Sequence, residues 1–555
     1  MSSSVRLLLC LAILIAVPSS LTAQTKLTPE QWREDLRFFA ANMPKMHKNL
    51  FHSMTREQFD AAVKRLDERI PTLADHEILV ELMRIVAMIG DGHTSVRLLQ
   101  NFDSAYPLRL YLYKDGLFVR SAAPEYRDAV GARVLRIGNA DAEQAMRAVS
   151  ELTWRDNEMG IKALAPQLLV IPEILHALRL NGDLQKAEFV VEKDGRQQKF
   201  EVKATKQLHQ MVRGIPAGWI DANSDSKAET PLWLKDPNNT FWFEHLTGAR
   251  GSCAQGCEKG ILYVQFRAVQ DKPQRGDNPG ETVESFFKRV FDYIETNQIN
   301  KMVLDIRSNG GGNNYLNLPI TLGMIKSRVN KRGNLFVIIG RETFSAAQNT
   351  VNELEKYTNA IFVGEPTAAN PNHFGDARNI VLSNSKISIQ ASTLWWQDLD
   401  PRDNRKWTAP QIAAELTSAD YKANIDPAMN AILKFVPGKN LGEMLTDALA
   451  AGGYAEAVRQ YRAYREDPAH AYLETEADIN RLGYELMGKN RLDDAIEIFK
   501  LNVDAYPRSA NVYDSLAEAY LKKGDKELAI KFYSKAVEIN PNFASSVEAL
   551  RQLKK

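Results

Sequence analysis

Asp305-Ile306-Arg307-Ser308-Asn309-Gly310-Gly311-Gly312 follows the apolar run Met302-Val303-Leu304 and precedes a helix-like stretch from Tyr315 to Lys326. The same layout recurs further on. Leu335 to Ile339 is apolar, Phe344-Ser345-Ala346-Ala347 follows, and Ala346 to Tyr357 has helical spacing. Two strand-turn-helix units in succession predict an α/β core with parallel strands. In such sheets the turns collect outside the carboxyl ends of the strands, where ligands bind. One turn offers bare backbone N–H groups and the other a hydroxyl. Acyl transfer through a serine needs those two things side by side.

Each element also has a plainer reading. Ser345-Ala346-Ala347-Gln348 has the form of a capping box, in which the serine hydroxyl satisfies the helix end. The glycine run allows a flexible turn, or the close approach of an oxyanion. A phosphate loop is excluded, because Asn313-Asn314 stand where Gly-Lys-Ser/Thr would be required. The N–H of Ala346, at a helix N-terminus, would point where negative charge develops.

Working outward, residues 24–104 read as a helical subdomain. Thr28-Pro29-Glu30 and Thr55-Arg56-Glu57-Gln58 start helices, and Ile78, Leu79, Leu82, Ile85, Val86 and Ile89 share one face of a third. That helix stops at Gly90, and Asp91-Gly92-His93-Thr94 forms a turn. His93 there is either a helix-end residue bonding to carbonyls or a base. Residues 105–205 are β-rich; the order strand, Gly-Asn turn, helix, hairpin resembles a PDZ-like module with a helical insertion. Residues 206–240 form a polar connector. Residues 241–435 are the α/β core, with strands at 261–266, 302–306, 335–339 and 361–363, and a hairpin pairing 380–382 with 387–389.

The last part, 440–555, holds an internal repeat. Leu482, Gly483, Ala495, Phe499 and Pro507 recur 34 residues later as Leu516, Ala517, Ala529, Tyr533 and Pro541. Period and residue types match the tetratricopeptide pattern, an α-solenoid of helix pairs. Ala457-Val458 and Tyr461 suggest an earlier, degenerate pair. Such an array is expected to recruit a protein partner, or to mediate self-association.

Asp91-Gly92-His93-Thr94 after an amphipathic helix, Asp305-x-Arg307-x-Asn309-Gly310-Gly311-Gly312, and Ser345-Ala346-Ala347 together resemble the tail-specific (C-terminal-processing) serine peptidase family. The resemblance spans about residues 27–435. It implies a polypeptide substrate, an acyl-enzyme on Ser345, and an oxyanion hole from Gly310, Gly311 and Ala346. It implies no metal and no organic cofactor. One catalytic style of the family pairs the serine with a downstream lysine. That place falls on Asn370 here, and no lysine occurs from 357 to 385. The tricorn-core style takes a histidine from the N-terminal helical part, where His93 stands. In that style a serine beside the histidine and a later acid complete a tetrad. Here the neighbour is Gly92, with Thr94 as a substitute. Asp403 lies nearest the place of the acid among Asp398, Asp400 and Asp403, which equally suit a solvated loop. His373 is a rival base, nearer to Ser345 in sequence. Two alternatives stand beside the peptidase: a lapsed relative that only binds a peptide or ligand, and a scaffold centred on the repeats.

The 555-residue composition, 44% hydrophobic and 25% charged, suits a multidomain globular protein. Residues 1–23 read as a secretory signal peptide. Arg6 is the positive start, Leu7 to Val17 the apolar stretch, and Ser19, Ser20 and Ala23 the small-residue exit. The expected location is therefore periplasmic or secreted. Without Arg6 the formal charges balance, so no basic field for nucleic acid or anionic membrane is expected. No later run is long enough to span a membrane. The two cysteines left after cleavage, Cys253 and Cys257, are expected to pair at a hairpin tip. Nothing in the sequence fixes the oligomeric state.

Overall fold

The computed structural model describes residues 26–247, 260–273 and 280–553. The signal segment and the Cys253–Cys257 pairing lie outside the described residues. None of the described helices is long and apolar enough to cross a membrane.

The expected core is present as a six-stranded sheet. Its order is 412–413, 361–364, 335–339, 301–305, 261–266, 241–246. All neighbours are parallel except the last pair, where Phe241–Leu246 runs antiparallel. The strands Lys301–Asp305 and Leu335–Ile339 are buried along their whole length, which is why they read as continuous apolar runs rather than alternating ones. Met302, Leu304, Val337 and Ile339 pack on one face against the helices that follow the two turns, while Val303, Phe336 and Ile338 pack on the other. That alternation fixes the register Val303 to Phe336 and Leu304 to Val337.

Three N-terminal helices, Pro29–Met46, Arg56–Arg69 and Asp75–Ala87, stand where the sequence places them. Thr28 and Thr55 close capping boxes with Gln31 and Gln58. A second sheet pairs 108–113, 116–122, 133–137, 186–193 and 196–203 in that order. Between its third and fourth strands the chain makes helices 142–150, 158–168 and 172–177. The helical insertion is broken ahead of Pro172, as the residue preceding a proline avoids helical geometry.

The hairpin expected at 380–389 is longer than the sequence suggests. His373–Val381 pairs with Ser388–Trp396, and Ser95–Val96 adds a third strand beside it. This small sheet ties the His93 turn to the core. Ile380, Ile387 and Ile389 join the same apolar cluster as the N-terminal helices.

The C-terminal helices 476–488, 492–505, 510–523, 526–539 and 544–553 form the repeat array. The segment 441–466 bends at Gly452-Gly453, giving the earlier helix pair. The small residues of the repeat have a steric cause. A Cβ on Gly483 would lie 2.4 Å from the Phe499 ring, and Ala517 and Ala529 are fully buried where their helices meet.

Candidate active site

Asp305 anchors the glycine turn. Its buried carboxylate accepts from Tyr263 Oη (2.7 Å) and from the Arg307 backbone and Nε (both 3.1 Å). Arg307 in turn forms two bonds to Asp426, at 3.0 and 2.8 Å. Asn309 then ties the two turns together. Its backbone carbonyl accepts from Phe344 N–H (3.0 Å), its Nδ2 donates to Phe266 O (3.0 Å), and its Oδ1 accepts from Gly311 N–H (2.9 Å).

That last bond corrects the expected donor set, because the Gly311 N–H is already committed to Asn309. Gly311 has a different duty. At φ +98°, a Cβ there would lie 2.6 Å from Ser345 Cβ and 2.8 Å from Ala346 N, so only glycine allows the two turns to touch. Gly310 is exposed and does not line the cleft beside Ser345, whereas Gly312 does. Val269 bonds to Gly311 O and receives Asn313 N–H, flanking Gly312 on one side. The Gly312 N–H therefore faces away from Val269. Gly312 and Ala346 line the same cleft as Ser345.

Ser345 does not cap its helix. Its backbone sits at φ 55°, ψ −129°, and its side chain makes no capping bond. A non-glycine residue there stores roughly 1–3 kcal/mol of strain. The turn instead directs Oγ to His93, whose Nε2 lies 2.8 Å away across 252 residues of sequence.

The imidazole is held mainly by packing. Phe344 stacks on one contact at 4.4 Å between centroids and 25° between planes, and His373 on another at 5.8 Å and 10°. His93 Nδ1 is shielded and has no hydrogen-bond partner among the described residues. Burial pushes the ring's pKa below its ordinary value; the charges of Asp91 and Asp376 and the Phe374 backbone act in the opposite sense without overcoming it. The ring is thus neutral at neutral pH, the state a base requires.

The backbone under the ring is fixed by two aspartate side chains. Asp91 Oδ1 accepts from His93 N–H (2.8 Å) and Asp156 Oδ1 from Gly92 N–H (2.7 Å). Asp91 also receives His47 Nε2 (2.9 Å) and the Thr94 hydroxyl. Burial and the neighbouring Asp91 charge push the Asp156 carboxyl up to about 8. Despite its own burial, Asp91 is held below the usual carboxylate range by bonds from His47, Ser392 and Thr94.

Several expectations resolve differently. Thr94 bonds to Asp91 and accepts from Ser392 N–H (3.1 Å), so it does not orient the ring. Gly92 stands where the resemblance calls for serine because the Phe344 ring fills the space: a Cβ would lie 2.7 Å from it. Asp403 pairs with Arg405 at 2.9 Å, Asp400 with Arg402 at 2.7 Å, and Asp398 receives Asn352 at 3.3 Å. None of the three bonds to His93, and the loop carrying them follows its plainer reading. His373 is buried, and burial together with the His93 charge holds its pKa down to about 3. Its Nδ1 donates to Asn370 O (3.1 Å), which makes it a stacking partner rather than a rival base. Residue types alone did not mark Asp156 or Phe344. Phe344 was adjacent to the serine, but its role depends on a contact between distant segments.

Solved structures resemble the chain to different degrees. The crystal structure of a CPAF mutant aligns with a TM-score of 0.52 at 11% identity, over 74% of this chain and 99% of that one. The photosystem II D1 C-terminal processing protease aligns with a TM-score of 0.33 at 13% identity, over 72% and 97%. A putative S41 protease from Bacteroides fragilis gives 0.32 at 13%, over 72% and 96%. At these identities the CPAF likeness shows a shared fold. The tetratricopeptide repeat family model matches residues 510–543. No curated protein matches the sequence.

Proposed function

We propose that the chain is an exported serine peptidase that cleaves polypeptides through an acyl-enzyme on Ser345. The observation that carries this reading is the 2.8 Å approach of His93 Nε2 to Ser345 Oγ. His93 Nε2 takes the hydroxyl proton as Oγ attacks the peptide carbonyl. The N–H groups of Ala346 and Gly312 receive the developing oxyanion, a contribution of roughly 3–4 kcal/mol per donor. The imidazolium then protonates the leaving amine, and water resolves the acyl-enzyme by the same proton path reversed. Hydrolysis in this scheme needs no metal. Asp403, outside the cleft, has no part in it. The imidazole keeps its place through Phe344, His373 and the turn held by Asp91 and Asp156, in place of a carboxylate on Nδ1.

Export rests on the Arg6 and Leu7–Val17 pattern. The repeat array would bring a protein partner, or the substrate, to the enzyme. The unpartnered Nδ1 favours a second reading, a relative that binds peptides in the same cleft without cutting them. Hydrolysis of an unfolded protein such as reduced casein separates the two. The peptidase reading expects turnover that Ser345→Ala abolishes while peptide binding persists. Absence of turnover in the wild type, or turnover that survives Ser345→Ala, would leave the binding reading or a contaminant.

A further inference from the structure

A cavity of about 690 Å³ lies between the second sheet and the carboxyl edge of the core sheet, apart from the Ser345 cleft. Its wall includes Arg109, Arg120 and Arg267 with the aromatic faces of Tyr111, Trp233 and Tyr421. Two further arginines border it, and each has carboxylate partners. Arg307 is paired with Asp305 and Asp426, and Arg341 with Glu365. Arg120 donates to Tyr421 Oη (2.8 Å), which donates to Asp221 (2.8 Å).

Arg109 and Arg267 differ from these. Among the described residues no hydrogen bond or ion pair reaches the Arg109 guanidinium. Among the described residues, Arg267 donates only to the backbone carbonyls of Trp233 (2.8 Å) and Lys235 (3.0 Å), and its Nε has no partner. Burial lowers the pKa of both, and nearby acidic groups offset that only in part. The carboxylates of Asp221 and Glu342 also line the cavity, yet neither closes on Arg109. Both side chains are partly buried, and a partly desolvated cation with no bonded carboxylate costs stability unless something pairs it. The volume suits a small molecule, and convergent polar groups among aromatic walls are the usual make-up of a ligand site.

We propose that this cavity binds a small organic anion whose carboxylate or phosphate group is taken by Arg109 and Arg267. The aromatic faces cover the rest of the ligand. The site lies at the carboxyl edge of the parallel strands, where α/β folds bind ligands. Its wall includes Ser308 and Glu342, at the starts of the two turns that carry Gly312 and Ser345.

The test is calorimetric titration and thermal unfolding of the full chain with citrate and with inorganic phosphate, at ionic strength matched with chloride. Saturable binding of at least one anion is expected, with a rise in Tm. Binding of citrate alone assigns a carboxylate ligand, and binding of phosphate alone a phosphorylated one. Arg109→Gln should weaken the bound anion roughly 10- to 100-fold, the scale of a charge-assisted hydrogen bond. Without ligand, its Tm should equal or exceed the wild-type value, because a desolvated charge that its surroundings offset only in part has been removed. Arg109→Lys should bind with intermediate affinity, and the exposed Arg402→Gln should bind as the wild type does. No saturable binding of either anion by the wild type would overturn the proposal. So would unchanged affinity in folded Arg109→Gln, or a ligand-free Arg109→Gln that unfolds well below the wild type. None of these readouts depends on peptide hydrolysis, so the proposal stands or falls apart from the peptidase reading.

Discussion

The turns carrying Ser345 and His93 meet in one cleft but are built in opposite ways. The serine turn is fixed through close, largely backbone contacts with one adjoining turn, the glycine turn. Thr343 hydroxyl donates to Ile306 O (2.9 Å), Phe344 N–H to Asn309 O (3.0 Å), and Gly311 fits beneath Ser345 with no room for a side chain. The histidine turn is fixed by segments far apart in sequence: Asp156 at Gly92, Phe344 and His373 on the ring, His47 and Ser392 around Asp91. The first arrangement tolerates no change, because backbone touches backbone. The second is made of side chains, so its damage should be graded and open to repair.

The largest effect should come from Gly311→Ala. The added methyl meets Ser345 Cβ and Ala346 N at positive φ, displacing together the proposed nucleophile and oxyanion donor. A loss of roughly 10³-fold or more in kcat/KM is expected, measured on a peptide substrate with folding checked by circular dichroism. A variant within threefold of wild type would show that the two turns are not locked as described.

Gly92→Ser comes next. It should cost about 10²-fold, the scale of a 1 Å misplacement, because the new side chain pushes on the Phe344 ring. Adding Phe344→Ala should return part of the activity, since it makes the missing room. If the double variant is no better than Gly92→Ser alone, the histidine turn is as intolerant as the serine turn and the contrast fails.

A subtler consequence concerns pH. With its pKa lowered by burial, His93 stays unprotonated to a more acidic pH than an ordinary histidine. The acid limb of kcat/KM should therefore have its midpoint below 6.5. A midpoint above that value would mean that a carboxylate reaches Nδ1 in the working enzyme. Asp156 adds a stability term of its own. Its folded pKa is raised, so the folded state holds a proton that the unfolded chain releases, and stability falls as pH climbs towards about 8. Asp156→Asn should raise Tm, and by more at pH 9 than at pH 5.

The smallest effect on catalysis should come from the repeats. Gly483→Leu overpacks Phe499 and should cost roughly 1–3 kcal/mol of stability in the array, leaving kcat on a short peptide unchanged.

The same contrast explains what could be read from sequence. Apolar runs at 302–304 and 335–339 announced buried parallel strands, and the repeat spacing announced the solenoid, because both patterns are local and periodic. The motifs singled out Ser345, His93 and the glycine run, and the fold brings these three segments together. Ser345's rejection of the capping role was not legible, since φ 55° depends on how Gly311 and Asn309 hold the turn. The expectation for Asp403 failed for a related reason. Arg405 lies two residues away and claims its carboxylate, a local pair that outcompetes a distant imidazole. Asp156 was invisible because its partner, the Gly92 N–H, is a backbone group 64 residues away.

The central claim is that His93 activates Ser345, and the rate of covalent labelling by a fluorophosphonate tests it most directly. The account predicts modification at Ser345 alone, mapped by peptide mass spectrometry, and a fall in the labelling rate of at least about 10²-fold in His93→Ala, the lower range for a general base. Equal labelling rates in wild type and folded His93→Ala, or modification at a different serine, would contradict it.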